Sequence, residues 1–498
     1  MEDVLANGYL MLLGVLALYG LYRYYLLILY FRGRSLRPVE PTPPRAWPRV
    51  TIQIPVYNER DVVERTIRSA CEVDYPQDRL EIQVLDDSTD ETSTIIATLL
   101  ERYQARGLTL QHLRRSTRSG FKAGALTEGL RHAAGDFLAV FDADFLVPRD
   151  FLHRTVPFFT DPLVGMVQAR WGHLNRDYSL LTRLQAILLD GHFGIEQSAR
   201  CAAGHFFSFN GTAGIWRKTA IVDAGGWSAQ TLTEDLDLSY RAQLKGWRGV
   251  FLPELVCPAE LPIEMTAWKI QQFRWTKGSV ETAKKLLRNV LRAPIPWSVK
   301  LDAVGHLTSY VCYPLGLIAS LGTIPLMMGW LPWPHQIVAD VVWFVLLTVS
   351  GACFYLCGQR ALDPSWFTRI PLVPWSLAVT VGLSVNNAWA VCEALLGRSS
   401  PFLRTPKFGA RPRWALWDSR RDRAFHGSPM GWIELGLALY FGMGAVAALH
   451  RQLWLTAPWL MLFAAGFGYV GWFSLRPDSP IRWLGGRLST ASWRPSEV

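Results

Sequence analysis

The sequence predicts an α/β domain inserted between transmembrane helices, the membrane part being multi-pass and α-helical. Three observations predict this fold class. Long apolar runs occupy the N-terminus and much of the second half, residues 50–261 alternate strand and helix patterns, and basic residues collect beside the apolar runs. Because the apolar half of the 498 residues is segregated into runs, a membrane protein is indicated rather than one large soluble core.

The first apolar run, residues 4–31, is long enough to cross a bilayer and is interrupted only by Arg23. No short charged leader with a cleavage site is seen, so a retained anchor is expected. Arginines follow the run, whereas Glu2 and Asp3 precede it, and the positive-inside rule therefore places residue 32 onward in the cytoplasm. We predict a transmembrane helix at 1–31 and a Pro- and Arg-rich linker at 32–49.

A soluble α/β domain is predicted over residues 50–264. VTIQIPV, EIQVLDD and GDFLAVFDAD have the composition of strands, and apolar spacing within 59–72 and 95–103 predicts helices. This alternation predicts a parallel-type sheet with helices on both faces. Ligands of such sheets bind outside the carboxyl ends of the strands, where the acidic pairs Asp86-Asp87 and Asp142/Asp144 fall.

The membrane half begins with a basic amphipathic stretch that is typical of a helix in the interface plane. The loop 398–428 carries eight Lys or Arg against two Asp, so it is predicted to be cytoplasmic. An even number of spans must then separate this loop from the soluble domain, but three apolar runs lie between them. The run 371–397, which contains polar residues, is therefore predicted to be an interfacial or re-entrant helix and not a span. We predict interface helices at 265–300, two spans at 301–360 and the interfacial or re-entrant helix at 371–397. The cytoplasmic gating loop at 398–428, two further spans at 429–475 and a cytoplasmic tail at 476–498 follow.

Charge and cysteines narrow the class of protein. The net charge of +10 could suggest nucleic acid, but Lys and Arg sit beside hydrophobic segments, which favours anionic lipid. The seven cysteines form no CxxC pair and are expected to be reduced and structural. No GxxxxGK[ST] or GxGxxG motif supports an ATPase or a dinucleotide-binding protein.

Four short motifs could carry chemistry, and each has a plainer interpretation. Asp142 and Asp144 could hold one Mg²⁺ or Mn²⁺ on a diphosphate, although acidic turns are common. Asp86 and Asp87 could bind a nucleobase or ribose, or cap the next helix. One of the three acids in TEDLDLSY, 233–240, could be a general base, or all three could be acids of the kind that enrich helix N-termini. Lys122 in SGFKAGALTEG could hold phosphate oxygens or be a solvated surface lysine.

The order of the motifs is more specific than any one of them: PVYNE, DDSTD, FKAG, DAD, FNGTAG, TED and QxxRW, then membrane. In that order they resemble the processive family-2 inverting glycosyltransferases, the group of cellulose, hyaluronan and chitin synthases. They look closest to the cellulose synthase-like A and C branch of mannan, glucomannan and xyloglucan-backbone synthases, and its bacterial relatives. The resemblance runs from about Val50 to Trp275 and resumes at FLRTPKFG, 402–409. It implies a GT-A, Rossmann-like fold for residues 50–264.

The resemblance also implies a role for each matching residue. Asp235 would be the catalytic base, and Asp142 with Asp144 would bind Mg²⁺ or Mn²⁺. The nucleotide sugar would be bound by Tyr57, Glu59, Asp86, Asp87, Lys122, Asp142, Gln271 and Arg274. The acceptor would lie beside Phe209, Asn210, Gly211, Thr212 and Trp275. Phe402, Thr405 and Lys407 would order over the nucleotide as a gating loop.

Trp275 and Arg274 also have a physical rationale of their own. A sugar face stacks on an aromatic ring, and a guanidinium matches phosphate oxygens. The plainer interpretation is that Trp275 belongs to an interfacial aromatic belt.

The expected activity is polymerisation of UDP-glucose or GDP-mannose into a β-linked glucan or mannan, with β-1,4 the expected linkage. The polymer would leave through the enzyme's own channel, either in a bacterial plasma membrane or in a Golgi membrane, with the catalytic domain in the cytosol. A membrane glycosyltransferase that makes a single-sugar glycolipid would share nearly all these residues. Pro406 and the low number of spans leave open whether one chain forms the channel or an oligomer does. A decayed scaffold is disfavoured because every acidic position is intact, and a nucleic-acid binder because aromatic residues interleave with apolar runs.

Overall fold

The computed structural model describes residues 2–34, 38–329, 336–400, 402–407, 409 and 428–476. Residues 410–427 of the predicted cytoplasmic loop and 477–498 of the predicted tail lie outside this description. The described chain forms an α/β domain and a group of long helices that precede and follow it.

A seven-stranded sheet forms the centre of the α/β domain, in the order β3-β2-β1-β4-β6-β5-β7. Its strands are β1 Val50–Val56, β2 Leu80–Asp86, β3 Thr109–Arg114, β4 Phe137–Val140, β5 Val164–His173, β6 Gly214–Arg217 and β7 Arg248–Ala259. All neighbours are parallel except that β6 runs antiparallel to β4 and β5. The sheet is therefore mixed, and β6 is the strand that departs from the predicted parallel type.

The reversed strand β6 has a local cause. Gly214, where β6 begins, pairs with Val140, where β4 ends. The segment before β6, residues 209–213, thus lies beyond the carboxyl end of β4, and the chain must run back into the sheet from there. This reversal brings FNGTAG next to the DAD motif.

Helices cover both faces of the sheet, as predicted. Phe137 and Ala139 of β4 pack into one apolar core, and Leu138 and Val140 into the other. Successive side chains of a strand point to opposite faces, and all four are buried because both faces are covered. The helices of this domain are α2 Val63–Cys71, α3 Thr92–Gln104, α4 Phe121–His132, α5 Phe151–Thr155, α6 Leu180–Gly191, α7 Ser198–Ala202, α8 Lys218–Asp223 and α9 Glu234–Leu244. A π-helical segment, His192–Gln197, joins α6 to α7.

The remaining helices lie outside the sheet domain. They are α1 Glu2–Gly33, α10 Met265–Arg292, α11 Trp297–Thr308, α12 Cys312–Met327, α13 Gln336–Asp340, α14 Ser350–Leu362, α15 Val373–Gly382, α16 Ser384–Leu395, α17 Met430–His450 and α18 Thr456–Leu475. A second π-helical segment, Val341–Val349, joins α13 to α14.

Within the described residues, five helical segments are long and apolar enough to cross a membrane: Ala6–Gly33, Trp297–Met327, Val338–Leu362, Met430–His450 and Thr456–Leu475. A further helix pair, Trp366–Gly382 and Ser384–Leu395, is bent by 42° and would add a sixth span if it crossed. This pair occupies the segment predicted to be interfacial or re-entrant.

The basic stretch after Arg274 forms the second half of the long helix α10. Val280, Ala283 and Val290 are buried, as an apolar face requires, and Lys277 is fully buried as well. Its ammonium donates to the Glu393 carboxylate (3.0 Å), to the Arg398 carbonyl (2.6 Å) and to Ser400. These partners offset the cost of burying the charge and fix the start of the segment that follows α16.

A second buried ion pair joins α10 to α17. The Lys269 ammonium lies 2.6 Å from the Glu434 carboxylate and 3.2 Å from the Ser474 hydroxyl. Both charged side chains are almost inaccessible to solvent. α10 is thus bonded both to the bent pair and to the last two candidate spans.

Candidate active site

A cavity of about 170 Å³, here called the sheet cavity, lies at the carboxyl ends of the central strands and is closed by α10. Fifteen of the residues selected from the sequence line it: Tyr57, Glu59, Asp87, Lys122, Asp142, Asp144, Asn210, Gly211, Asp235, Gln271, Arg274, Trp275, Phe402, Thr405 and Lys407. Asp86, Phe209 and Thr212 do not line it. Motifs that are far apart in sequence thus converge on one site.

Two carboxylates follow β4 at the floor of the sheet cavity. Asp142 accepts a hydrogen bond from Lys122 Nζ at 2.5 Å, and Asp144 lies 2.7 Å from Lys407 Nζ. The described residues hold no group of three or more His, Cys, Asp or Glu side chains placed to bind a metal. Two hard oxygen donors nevertheless fit Mg²⁺ or Mn²⁺, because such ions complete their shell with water and with phosphate oxygens of a substrate.

Lys122 stands in the first turn of α4 and reaches across the cavity. It donates to Asp142 and to the carbonyl of Gly211 (2.9 Å), and Glu234 lies 4.0 Å away. Burial alone would lower the pKa of the ammonium, but the carboxylates around it raise that pKa. Lys122 is therefore charged and enclosed, not a solvated surface lysine.

Asp235 and Glu234 form the first turn of α9, so the acids do lie at a helix N-terminus. Asp235 also faces the cavity. Burial, and next the neighbouring Glu234 carboxyl, raise the pKa of Asp235 to about 7. A Cβ at Gly211, which has a φ of +79°, would lie 2.8 Å from Asp235 Oδ2, so a side chain there would crowd the carboxylate.

Asp86 and Asp87 separate in the structure. Asp86 is buried behind the cavity wall, where it accepts hydrogen bonds from Ser88 N (2.8 Å) and Ser93 Oγ (2.6 Å) and pairs with His112 (2.9 Å). Although burial opposes it, these bonds lower the pKa of Asp86 to about 2. Asp86 therefore lies outside the lining of this cavity, and its carboxylate holds the turn that follows β2.

Asp87 does line the cavity, and it pairs with Arg115 through two contacts of 2.9 and 2.5 Å. Neither acid is the N-cap of α3, which is Glu91.

Of the predicted acceptor residues, two lie behind the sheet cavity, and Phe209 instead lines a neighbouring cavity among the candidate spans. Phe209 is fully buried, and its N–H donates to Ser239 Oγ at 2.8 Å. Thr212 is also fully buried, and its hydroxyl accepts from the N–H of Asp142 at 2.9 Å. Asn210, Gly211 and Trp275 face the cavity.

The 402–407 segment enters the sheet cavity beside α10. Arg274 donates to the Leu403 carbonyl at 3.2 Å, and its guanidinium lies 4.6 Å from the centre of the Phe402 ring. Phe402 also stacks on Phe121 at 5.5 Å. Arg404 pairs with Glu59, and burial raises the pKa of that carboxyl to about 7.

Several lining or supporting residues were missed in the sequence: Arg118, Gln168, Trp171, His173 and Arg404. The Arg118 guanidinium lies 3.4 Å from the centre of the Tyr57 ring. Arg118 and Arg404 flank recognised motifs and could have been found there. Gln168 and His173 lie within β5, where alternation indicates only a strand.

A second and larger cavity of about 450 Å³, the membrane cavity, lies among the candidate spans. Tyr19, Tyr310 and Tyr313 contribute to its wall. It shares seven lining residues with the sheet cavity: Trp171, Leu189, Asn210, Thr233, Asp235, Gln271 and Trp275. The two aromatic rings among them lie 6.3 Å apart. The sheet cavity therefore adjoins a path into the membrane part.

Comparison with known proteins agrees with this arrangement. Residues 48–278 match the family described as "Glycosyltransferase like family 2". The chain is 35% identical over 455 residues to glucomannan 4-beta-mannosyltransferase 9 of Arabidopsis thaliana, covering 86% of this chain and 81% of that protein. It is 43% identical over 451 residues to glucomannan 4-beta-mannosyltransferase 1 of Oryza sativa subsp. japonica, covering 86% of this chain and 83% of that one.

Among solved structures, the mannosyltransferase PcManGT from Pyrobaculum calidifontis, in complex with GDP-Man and Mn²⁺, resembles the chain with a TM-score of 0.55 at 23% identity. The match covers 78% of this chain and 100% of that one. This likeness confirms the GT-A fold of the α/β domain.

Proposed function

Since the chain belongs to the family-2 glycosyltransferases, in the branch of the glucomannan 4-β-mannosyltransferases, we propose that it polymerises mannose from GDP-mannose into a β-1,4-linked mannan or glucomannan. The observation that carries the proposal is that similarity to those enzymes covers 86% of the chain, and so includes the membrane half as well as the catalytic domain. UDP-glucose is the second donor to test, because a glucomannan contains glucose.

Asp235 is the proposed base. Its carboxylate would take the proton of an acceptor hydroxyl, whose oxygen then bonds to the anomeric carbon while the bond from that carbon to the diphosphate breaks. The bonding electron pair leaves with the diphosphate. A single displacement converts an α-linked donor into a β-glycoside.

Charge on the leaving diphosphate is proposed to be met by Lys122 and Arg274, which both line the sheet cavity. Asp142 and Asp144 would hold a divalent ion, which supplies additional charge neutralisation when bound. Lys122 bonds Asp142, and Lys407 bonds Asp144. Both ammonium groups therefore lie where the diphosphate oxygens would be bound.

The acceptor end of the glycan is proposed to lie on Trp275, with Asn210 and Gln271 beside it. These three residues and Asp235 line both cavities. A glycan that starts at the base can therefore continue into the membrane cavity, and we propose that it leaves by this route. The 402–407 segment would order over the nucleotide, with Phe402, Thr405 and Lys407 facing it.

The test uses the purified full chain in lipid nanodiscs. Radiolabelled GDP-mannose, UDP-glucose and UDP-N-acetylglucosamine are supplied singly and in pairs, with Mn²⁺, with Mg²⁺ or with EDTA. Label is then sorted into organic-soluble and high-molecular-weight fractions, and the polymer is digested with β-1,4-mannanase and β-1,4-glucanase.

We expect metal-dependent label from GDP-mannose in a mannanase-sensitive polymer, and none in the presence of EDTA. Asp235→Asn provides the matched inactive control. Label confined to the organic phase would instead make the chain a glycolipid-forming enzyme and would overturn the polymer proposal.

A further inference from the structure

His173 ends strand β5 at the wall of the sheet cavity and belongs to none of the recognised motifs. Its position is rigid. His173 pairs with Ala259 of β7, and two residues later Asn175 exchanges two hydrogen bonds with the backbone of Leu261, at 2.9 and 2.8 Å. A side chain held on a paired strand has little freedom to move away from a ligand.

The imidazole is seated by a buried carboxylate. His173 Nε2 lies 2.9 Å from Asp190 Oδ1, and both side chains are about 95% inaccessible. An ionised carboxylate can only accept, so Nε2 carries a hydrogen and donates it to Asp190, which leaves Nδ1 as the second hydrogen-bonding atom of the ring. Within the described residues, the bond to Asp190 is the only hydrogen bond of this ring. Nδ1 is left for a ligand.

Asp190 is itself fixed by three groups, which explains why it stays ionised. Gln359 Nε2 of α14 donates to Asp190 Oδ2 at 3.0 Å, and Arg176 pairs with the same oxygen. Burial opposes ionisation, but His173, Arg176 and Gln359 lower the pKa of Asp190 to about 2. The orientation of the imidazole is thus set by α6 and by a candidate transmembrane helix together.

The position of Trp171 shows on which side of the sheet cavity His173 lies. The two side chains are two residues apart on one strand and so point to the same face. Trp171 lines both cavities and lies near Trp275, whereas His173 lines only the sheet cavity. His173 therefore faces the compartment of the nucleotide sugar and not the path of the glycan.

We propose that His173, oriented by Asp190, forms a hydrogen bond through Nδ1 with one hydroxyl group of the donor hexose and so contributes to the choice of sugar. The inference rests on the proposed function and adds a residue that reads the sugar itself. Lys122 and Arg274, by contrast, meet the diphosphate, which is common to all donors. Asp190 is a positioning residue that acts through the imidazole.

The test measures equilibrium binding to the full chain in nanodiscs with Mn²⁺. The ligands are GDP, GDP-mannose and the four GDP-mannose analogues that lack one hexose hydroxyl each. The proteins are the wild type, His173→Phe, His173→Gln and Asp190→Asn. The control is His132→Phe, which removes a surface histidine that is also paired with a carboxylate, Glu128.

In His173→Phe, we expect GDP-mannose to bind about tenfold more weakly, which corresponds to the loss of one typical polar contact. GDP should bind as it does to the wild type. One deoxy analogue should bind the wild type and His173→Phe equally, because the contact is already missing. His173→Gln should recover part of the affinity, since its amide can hydrogen-bond a hydroxyl group as donor or as acceptor. Asp190→Asn should weaken GDP-mannose but not GDP.

An unchanged affinity for GDP-mannose in His173→Phe would overturn the inference, as would an equal loss for GDP and for every analogue, which indicates a purely structural residue. A wild-type chain that binds no nucleotide at all would instead contradict the proposed function. The two failures are therefore distinguishable.

Discussion

The carboxyl group of Asp235 lies in the wall between two cavities, beside the buried Glu234. Exclusion of water, and next the neighbouring Glu234 carboxyl, raise the pKa of Asp235 to about 7, because two adjacent acids cannot both ionise readily there. A base with such a pKa is matched to proton transfer near neutral pH.

Replacing this carboxyl group tests its role directly. We expect Asp235→Asn to lower the rate of hexose transfer by about 10²- to 10⁴-fold, the range of general-base contributions, because the amide cannot take the hydroxyl proton. Affinity for the donor should change little. Single-turnover transfer and equilibrium donor binding on the same preparation separate the two effects, and retained turnover would contradict the assignment.

The pH dependence follows from the same pKa. The base works when deprotonated, so transfer should be constant above pH 7 and fall about tenfold for each pH unit below it. A profile of kcat/KM between pH 5.5 and 8.5 measures this. Glu59, whose pKa burial also raises to about 7, supplies the control, because Glu59→Gln should keep the acidic limb. A flat profile would contradict the role of Asp235.

At the scale of single residues, the sequence predicted identities better than contacts. The motifs identified the acids, Lys122 and Arg274, and fifteen selected residues line one cavity. The sequence did not show which of Asp86 and Asp87 lines the cavity. The answer depends on His112 and Ser93, which lie in neighbouring elements and bond Asp86. His173 was missed for a similar reason, since its partner Asp190 lies on α6.

Among the elements, the 402–407 segment bears most on ligand binding. Its Lys407 pairs with Asp144, a carboxylate proposed to hold the metal. A lysine and a divalent cation compete for the same oxygens. A metal bound at Asp144 would therefore be coupled to the segment through this one side chain.

Removing that lysine should favour the cation. We expect Lys407→Met to bind Mn²⁺ about tenfold more tightly than the wild type in the absence of nucleotide, equivalent to about 1.4 kcal/mol. Lys407→Arg, which keeps the charge, is the control and should bind as the wild type does. Titration followed by electron paramagnetic resonance of free Mn²⁺ gives the affinities. Equal or weaker binding by Lys407→Met would show that Lys407 does not compete.

Element types were predictable where a pattern is long. The strands β1, β2 and β4 and the long apolar helices follow from alternation and run length. The direction of β6 could not be inferred, because four residues give no signal of whether a strand enters the sheet from one end or the other. The burial of Lys277 was hidden too, since its partner Glu393 belongs to another helix.

For the whole molecule, the position of the 402–407 segment constrains the topology. The segment contacts the sheet cavity, so it lies on the same side of the membrane as the α/β domain. Two straight candidate spans, 297–327 and 338–362, already separate them. The bent pair after those spans should therefore not cross, which favours five spans over six.

The buried pair Lys269–Glu434 should hold the catalytic and membrane parts together. Leaving one buried charge without its partner costs about 3–5 kcal/mol, so Lys269→Met or Glu434→Leu alone should destabilise the fold by that order. The double variant should lose much less. Unfolding in mixed detergent and SDS micelles measures this. The exposed pair Arg68–Glu64 is the control and should contribute under about 1 kcal/mol. Additive losses in the double variant would contradict the pairing.

Because Asp235, Gln271 and Trp275 border both cavities, bond formation and the start of export would occur at one point. The driving force for secretion would then be the free energy of donor cleavage itself, with no separate ATPase or ion gradient. Polymer length would become a kinetic quantity, set by whether the next donor arrives before the glycan slips out of the membrane cavity.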